Sequence, residues 1–300
     1  MKITNLRLAD VSIPLKRPFK TALRTVNAVQ DIVVCIETDE GVCGYGEAAP
    51  TAVITGDTTG SIREAILVYL APVLLGRDID DFENLLAAVS GAMVKNTSAK
   101  AAVDIALHDL FAKSCQKPLY KLLGGAKPVI ETDITISVNP VEQMVADSLS
   151  AVAGGYNILK VKVGKEGFAD VARMEAIRRA VGPETVLRVD ANQGWEAKQA
   201  VRIIRAMEDR GLEIELVEQP VPAHNLAGMR YITQNVSTAI LADESVFSAA
   251  DAVEIIRTGA ADLINIKLMK TGGIHEALRI CAIAESFGVG CMVGCMLESH

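Results

Sequence analysis

Lys162, Asp190, Glu218, Asp243 and Lys267 are charges spaced about one strand-plus-helix unit apart. Each stands at or near the end of a short apolar run: "ILKVKV" (158–163), "VLRVD" (186–190), "IELVE" (214–218), "AILAD" (239–243) and "DLINIK" (262–267). One Asp or Lys after a strand reads as a helix cap or a solvated loop residue. Five in succession, in the sign order plus, minus, minus, minus, plus, ask for a common cause. Three carboxylates on neighbouring strands repel one another and need a counter-charge. An all-oxygen set without His or Cys suits a hard divalent cation: Mg²⁺, with Mn²⁺ the alternative. Lysines on either side of that set suit taking a proton from one face of a carbon and returning one to either face. Removing a proton α to a carboxylate makes an enediolate, whose charge a cation stabilises. A lysine is a base only when neutral, so the metal and a second lysine are expected to lower its pKa. Lys160 lies two residues before Lys162, points to the same side of the strand, and is expected to support the pair.

These residues converge only if their strands run parallel. From residue 126 the pattern is a repeat of apolar strands and amphipathic helices. "DITISV" (133–138) and "VGCMVG" (289–294) bring the strands to seven, and helical spacing fills 141–153, 169–181, 197–209 and 274–287. Such alternation means a parallel sheet with right-handed crossovers. The sequence holds no GxGxxG or P-loop, which favours a (β/α) barrel over a doubly wound sheet. In a barrel the C-terminal strand ends open on one face, where an active site sits. Counting "DITISV" as the first strand, the lysines fall on strands two and six, opposite each other in an eight-stranded barrel. Residues 1–125 follow another grammar: strands near 2–13, 31–38 and 42–47, then helices over 61–76, 98–113 (Ser98 as N-cap) and 117–125. Strands followed by helices predict an α+β unit. The expected domains are 1–125 and 126–300.

Half of the residues are hydrophobic (50%) and the net charge is −7. A sizeable core follows, and nucleic acid is disfavoured as a partner. No signal peptide or membrane-length apolar stretch is present, which predicts a cytoplasmic protein without a membrane partner. The six cysteines include no CxxC pair and read as reduced, buried thiols rather than disulfides or metal ligands. His108, His224, His275 and His300 have no ligand spacing.

"KVKVG", "RVDANQGW", "VEQPV", "ADESV" and "NIKLMKTGGI" resemble the enolase superfamily in its muconate-lactonizing subgroup. The resemblance covers nearly the whole chain. It implies an N-terminal α+β capping domain over a modified (β/α) TIM-type barrel. Lys162 and Lys267 would be the acid/base pair, and Asp190, Glu218 and Asp243 would hold one Mg²⁺ per chain. The resemblance favours Asp243 over its neighbour Glu244. Asn192, Gln219 and Asn265 are expected to support the metal site through hydrogen bonds. "PFKTALRTV" (18–26) and "TAVITGDT" (51–58) are similar to dipeptide epimerases of the L-Ala-D/L-Glu type, whose corresponding loops cover the barrel mouth. Arg24 would then bind a glutamate side-chain carboxylate, which its planar fork suits. Lys160, Thr135 and Ile54 would join it in the substrate pocket. The expected partners are a dipeptide and further copies of the chain in a homo-oligomer.

Members of the resembled family continue into an eighth barrel strand, where dipeptide epimerases place an Asp-x-Asp pair for the substrate ammonium. This sequence ends at "GCMLESH", so a barrel truncated after its seventh strand is expected. Three activities on the same metal and lysines stay open: muconate cycloisomerase, o-succinylbenzoate synthase and N-acylamino-acid racemase. A catalytically dead metal-binding form is a fourth alternative.

Overall fold

The computed structural model describes residues 1–125 and 129–299. The domain boundary expected at 126, and His300, lie outside the described residues.

The N-terminal sheet orders its strands β1 (Ile3–Lys20), β2 (Thr25–Thr38) and β3 (Cys43–Ala48), with β2 central and every pairing antiparallel. Along β2 the alternate residues Ile32, Val34 and Ile36 are fully buried. They face α3 (Thr97–Ser114), whose Ala99, Ala102 and Ala106 share their core. Each buried Val, Leu or Ile side chain contributes about 1.5–3 kcal/mol of burial. The helix comes so close to β3 that a Cβ on Gly46 would stand 1.9 Å from the Ala102 carbonyl oxygen. The glycines of "CGYG" are therefore a packing requirement.

Around this pair lie α1 (Thr59–Glu64), α2 (Phe82–Gly91) and the short α4 (Leu119–Leu122). Two local expectations need correction here. The single helix expected over 61–76 is broken: after α1 the chain widens into a π-turn over Ala65–Leu70, then tightens at Ala71–Val73. Pro72 has no N–H to give to the ladder, so the α pattern cannot continue through it. Ser98 is not the N-cap of α3, because Asn96 precedes its first residue. Ser98 sits in the first turn, where its N–H donates to Asp57 Oδ2 at 2.9 Å. The short helix expected within 117–125, with its Gly stop, spans Leu119–Leu122 ahead of Gly124.

The second region is a seven-stranded parallel sheet. Its strands are β4 (Ile134–Ile136), β5 (Ile158–Lys162), β6 (Val186–Asp190), β7 (Ile214–Glu218), β8 (Ala239–Ala242), β9 (Leu263–Lys267) and β10 (Gly290–Gly294). They lie side by side in sequence order, with β4 and β10 at the edges. The crossovers carry α5 (Val141–Ala153), α6 (Ala169–Val181), α7 (Ala197–Asp209), α8 (Leu226–Thr233), α9 (Ala249–Thr258), the single turn α10 (Leu268–Thr271) and α11 (Ile274–Ser286). Strand residues such as Leu159, Val189, Val217 and Ile264 form one core with helix residues such as Met174, Ile203 and Ile280. The architecture is the capping sheet and part-barrel that the sequence pattern implied.

The cysteines depart from expectation. All six are free, but Cys35, Cys43 and Cys281 are half-buried and Cys115, Cys291 and Cys295 are exposed. Cys35 lies on the side of β2 away from α3, and Cys291 lies on an edge strand. No helix among the described residues is long and apolar enough to cross a membrane.

Candidate active site

The register of the barrel strands decides which charges meet. Lys162, Asp190 and Glu218 are direct partners across β5, β6 and β7. The row continues through Leu241 on β8, and Asp243 lies two residues beyond it. Side chains two apart point the same way, so Asp243 joins the same face. Lys267 ends β9, on the far side of the three acids from Lys162. The lysines therefore flank the acidic trio, one at each end of the row.

All of these groups are buried, with Asp190, Glu218 and Asp243 at 0% exposure. Lys162 Nζ donates to Asp190 Oδ2 at 2.6 Å, and Lys267 Nζ donates to Asp243 Oδ2 at 2.5 Å. Lys160 bridges Glu218 Oε2 (2.5 Å) and Asp190 Oδ2 (3.1 Å). Each carboxylate leans on an ammonium group, and the trio does not bring one oxygen each within 4.8 Å of one another.

Backbone conformation and hydrogen bonds brace the acids. Asn192 and Gln219, just past two strand ends, hold positive φ (43° and 36°), a strained choice for non-glycine residues. The turn at Asn192 brings its N–H to Asp190 Oδ1 at 2.8 Å. Gln219 Oε1 accepts from the Asp243 N–H at 2.9 Å. Asn265 Nδ2 donates to Glu218 Oε1 at 3.0 Å.

The electrostatics divide the acids. Burial raises every carboxyl, but Lys162 and Lys160 hold Asp190 below the ordinary range, and Lys267 and Lys270 do the same for Asp243. Burial and then the Asp190 charge push Glu218 up to about 7. Among the protein's own groups, Lys267 is governed by its ion pair. Burial and Lys160 pull its pKa down, yet Asp243, aided by Glu218, outweighs them and holds the ammonium above its ordinary value. A single short ion pair in a low-dielectric pocket exceeds the repulsion of a more distant lysine.

Two residues here went unassigned in the sequence pattern. Lys270 is fully buried, pairs with Asp243 Oδ1 at 2.7 Å, and donates to the carbonyls of Asp243, Val246 and Asn265. Its signal was a second lysine three residues after Lys267, in "NIKLMKTGG". Glu244 is buried, neither of its oxygens has a hydrogen-bond partner, and burial with Asp243 raises its carboxyl to about 8. Asn192 Oδ1 and Asn265 Oδ1 are likewise buried without a partner. A face of buried carboxylate and amide oxygens, several lacking hydrogen bonds, is a donor set that fits a hard cation.

The three remaining expected residues line separate cavities. Arg24 lies in the turn between β1 and β2, beside Asp31, Pro50 and Thr51. Its guanidinium is half-buried, and no carboxylate among the described residues pairs with it. Ile54 lines a cavity of about 610 Å³ together with His224 and Glu244. Thr135 is the register partner of Lys160 on β4, but its cavity is bordered by Phe19 and Ser137. The β1–β2 hairpin is nonetheless tied to the end of β4: the Val138 N–H donates to the Lys20 carbonyl at 3.1 Å, and Lys20 Nζ donates to Asn139 Oδ1 at 3.0 Å.

Residues 143–300 match the family described as enolase C-terminal domain-like. Residues 3–124 match the N-terminal domain of mandelate racemase/muconate lactonizing enzymes. The L-Ala-D/L-Glu epimerase of Clostridium acetobutylicum is 55% identical, over 99% of this chain and 83% of that protein. The substrate-liganded L-Ala-D/L-Glu epimerase of Bacillus subtilis superposes with a TM-score of 0.98 at 50% identity, over 99% of this chain and 83% of that one. A dipeptide epimerase of Enterococcus faecalis, solved with Mg and L-Leu-L-Tyr, superposes with a TM-score of 0.95 at 44% identity over the same shares.

Proposed function

This chain belongs to the mandelate racemase/muconate lactonizing enzyme family of the enolase superfamily, and from that premise we propose that it epimerises dipeptides of the L-Ala-D/L-Glu type. The observation that carries the reading is the row of charges itself, with two lysines bracketing three buried acids on adjacent strand ends. Lys162 and Lys267 are the acid/base pair: one takes the α-proton at its Nζ, and the other returns a proton to the opposite face of the carbon. The one that begins the turnover must be neutral and its counterpart charged. Lys160, held against Glu218 and Asp190, fixes the acids and adds positive charge beside the substrate carboxylate.

Asp190, Glu218 and Asp243 would hold one Mg²⁺. When bound, it supplies charge stabilisation for the enediolate oxygens. Asn192, Gln219 and Asn265 keep those carboxylates in place. Arg24, a half-buried cation without a partner among the described residues, is the group for a substrate's acidic side chain. Ile54 and Thr135 would complete the pocket wall. The reading divides the chain at 125/126, sets it in the cytoplasm, and expects a homo-oligomer.

The test is exchange in D₂O. With Mg²⁺ present, L-Ala-L-Glu should take deuterium at the Glu α-carbon and yield the L,D epimer. Lys162→Met and Lys267→Met should each abolish epimerisation while leaving exchange of at most one epimer. No exchange with any acidic dipeptide sinks the proposal. An N-succinyl-Arg/Lys racemase of Bacillus cereus is 36% identical, which makes N-acylated amino acids the second substrate class to include.

A further inference from the structure

A second constellation lies apart from the row of strand-end charges, on the side of the N-terminal sheet opposite α3. Cys35 and Glu37 are on β2 and Cys43 is on β3. The antiparallel register sets Glu37 opposite Cys43 and Cys35 opposite Tyr45, which places all four side chains on one face. The two thiol sulfurs and a Glu37 carboxylate oxygen lie within 4.8 Å of one another. Among the described residues this is the one group of three His, Cys, Asp or Glu side chains so arranged. In sequence the spacing matches no motif, and only the register creates the site.

Two simpler explanations fall short. A disulfide would join diagonal residues of an antiparallel pair, whose Cα atoms stand about 7–8 Å apart. That exceeds the reach of an unstrained bridge, about 7 Å at most. Nor is Glu37 merely a solvated charge: Arg7 pairs with its Oε1, and Asn5 Nδ2 donates to its Oε2 at 3.0 Å. Each carboxylate oxygen has two lone pairs, so both can be held from one side and still face the thiols.

We propose that Cys35, Cys43 and Glu37 form a binding site for a borderline divalent cation of the Zn²⁺ class, separate from the oxygen-only barrel site. Two thiolates and a carboxylate are ligands that Zn²⁺ accepts, and water fills the fourth tetrahedral position. Mg²⁺ prefers all-oxygen shells, so the two sites sort cations by ligand softness. Binding replaces the two thiol protons, which leave to solvent, with two metal–sulfur bonds and involves no change of oxidation state. The cation would clip β2 to β3 across the turn at Asp39–Val42.

The full chain, reduced and saturated with Mg²⁺, is titrated with Co²⁺ as the spectroscopic probe. One Co²⁺ per chain should bind with a thiolate-to-cobalt charge-transfer band, and Zn²⁺ should displace it. Cys35→Ser/Cys43→Ser should remove the band, Glu37→Gln should weaken binding at least about tenfold, and Cys281→Ser/Cys291→Ser should change neither. A measurement on the unaltered chain guards against misfolded variants: Zn²⁺ should shield Cys35 and Cys43, but not the exposed Cys115, from alkylation read by mass spectrometry. Absence of the band, a band that survives loss of Cys35 and Cys43, or equal alkylation of all three cysteines overturns the proposal. These readouts do not depend on epimerase activity.

Discussion

Lys270→Met separates the lysine that holds the site together from Lys267, the proposed acid/base. The Lys270 ammonium is fully buried, contacts three backbone carbonyls and pairs with Asp243 Oδ1 at 2.7 Å. Methionine fills a similar volume but offers no proton to those oxygens. Asp243 keeps Lys267, so the cost comes from three buried carbonyls left without a donor, about 1–3 kcal/mol each before relaxation and roughly 3–5 kcal/mol in all. For a chain of 300 residues, about 2 °C of Tm per kcal/mol converts this to a fall of roughly 6–10 °C. Lys267→Met is the control. It also removes an ammonium group from Asp243, but Asp243 keeps Lys270, and Lys267 makes no carbonyl contact. Its cost is about 1 kcal/mol, near the net worth of one well-compensated bond, so its Tm should stay within about 2 °C of the parent. Differential scanning calorimetry with Mg²⁺ present, paired with the exchange assay, gives both readings. The expected pattern is Lys267→Met stable and inactive, Lys270→Met visibly destabilised. A Lys270→Met melting point within about 2 °C of the parent, or an equal drop in both variants, refutes the reasoning.

Arg24→Met should cost at least about tenfold in kcat/KM on glutamate-containing dipeptides, the scale of one lost charge-assisted contact, and spare apolar dipeptides such as L-Ala-L-Leu; parallel kinetics on the two substrates check it. Gly273→Ala should destabilise by about 2–4 kcal/mol through overpacking and backbone strain, because its Cβ would meet Asp104 Cβ at 2.4 Å with φ at 122°. Gly272→Ala, whose new Cβ meets nothing closer than 3.6 Å, should cost about 1 kcal/mol, and urea unfolding of the two variants ranks them. Burial alone would lower the pKa of His108, but its bonds to Asp104, 3.1 Å away, and the charge of Glu83 hold it above 6.5. A group whose pKa is higher folded than unfolded adds stability below the unfolded value and loses it as pH rises through the folded one. The Tm gap between the parent and His108→Gln should thus be widest below about pH 6.5 and narrow on raising the pH.

The charged strand ends were legible because they break a strong pattern: a Lys, Asp or Glu closing an apolar run has few reasons to be there. The helices over 141–153, 169–181 and 197–209 were legible for the complementary reason, a sustained amphipathic period. What sequence spacing hid was set by tertiary geometry. Pro72 broke an otherwise good helical period. Arg24, Ile54 and Thr135 sit on loops or sheet edges whose paths depend on distant bonds such as Lys20 to Asn139. Lys270 follows Lys267 by three residues, a spacing that on an ordinary helix reads as a solvated lysine. One short turn with a glycine C-cap at Gly272 instead drives it under the strand ends. Sequence reveals which charges are near Lys267 but not that its shortest contact is Asp243.

The pairing of lysines with acids has a symmetry that bears on the chemistry. Asp190 is shared by Lys160 and Lys162, and Asp243 by Lys267 and Lys270. In each triad one lysine lies at the end of the row and the other beside or beneath it. Before Mg²⁺ binds, a carboxylate buried with a single ammonium partner would be stranded when that partner gave up its proton, at the cost of an uncompensated buried charge. With two partners, the acid keeps a counter-charge whichever protonation state the outer lysine adopts. On the proposed acid/base reading, each outer lysine alternates between base and acid while the second ammonium, joined by Mg²⁺ when bound, keeps the carboxylate neutralised. The epimerisation proposed above runs in both directions and asks each lysine to play both parts. A site built for one-way proton transfer would need this provision on one side only, whereas here it occurs on both.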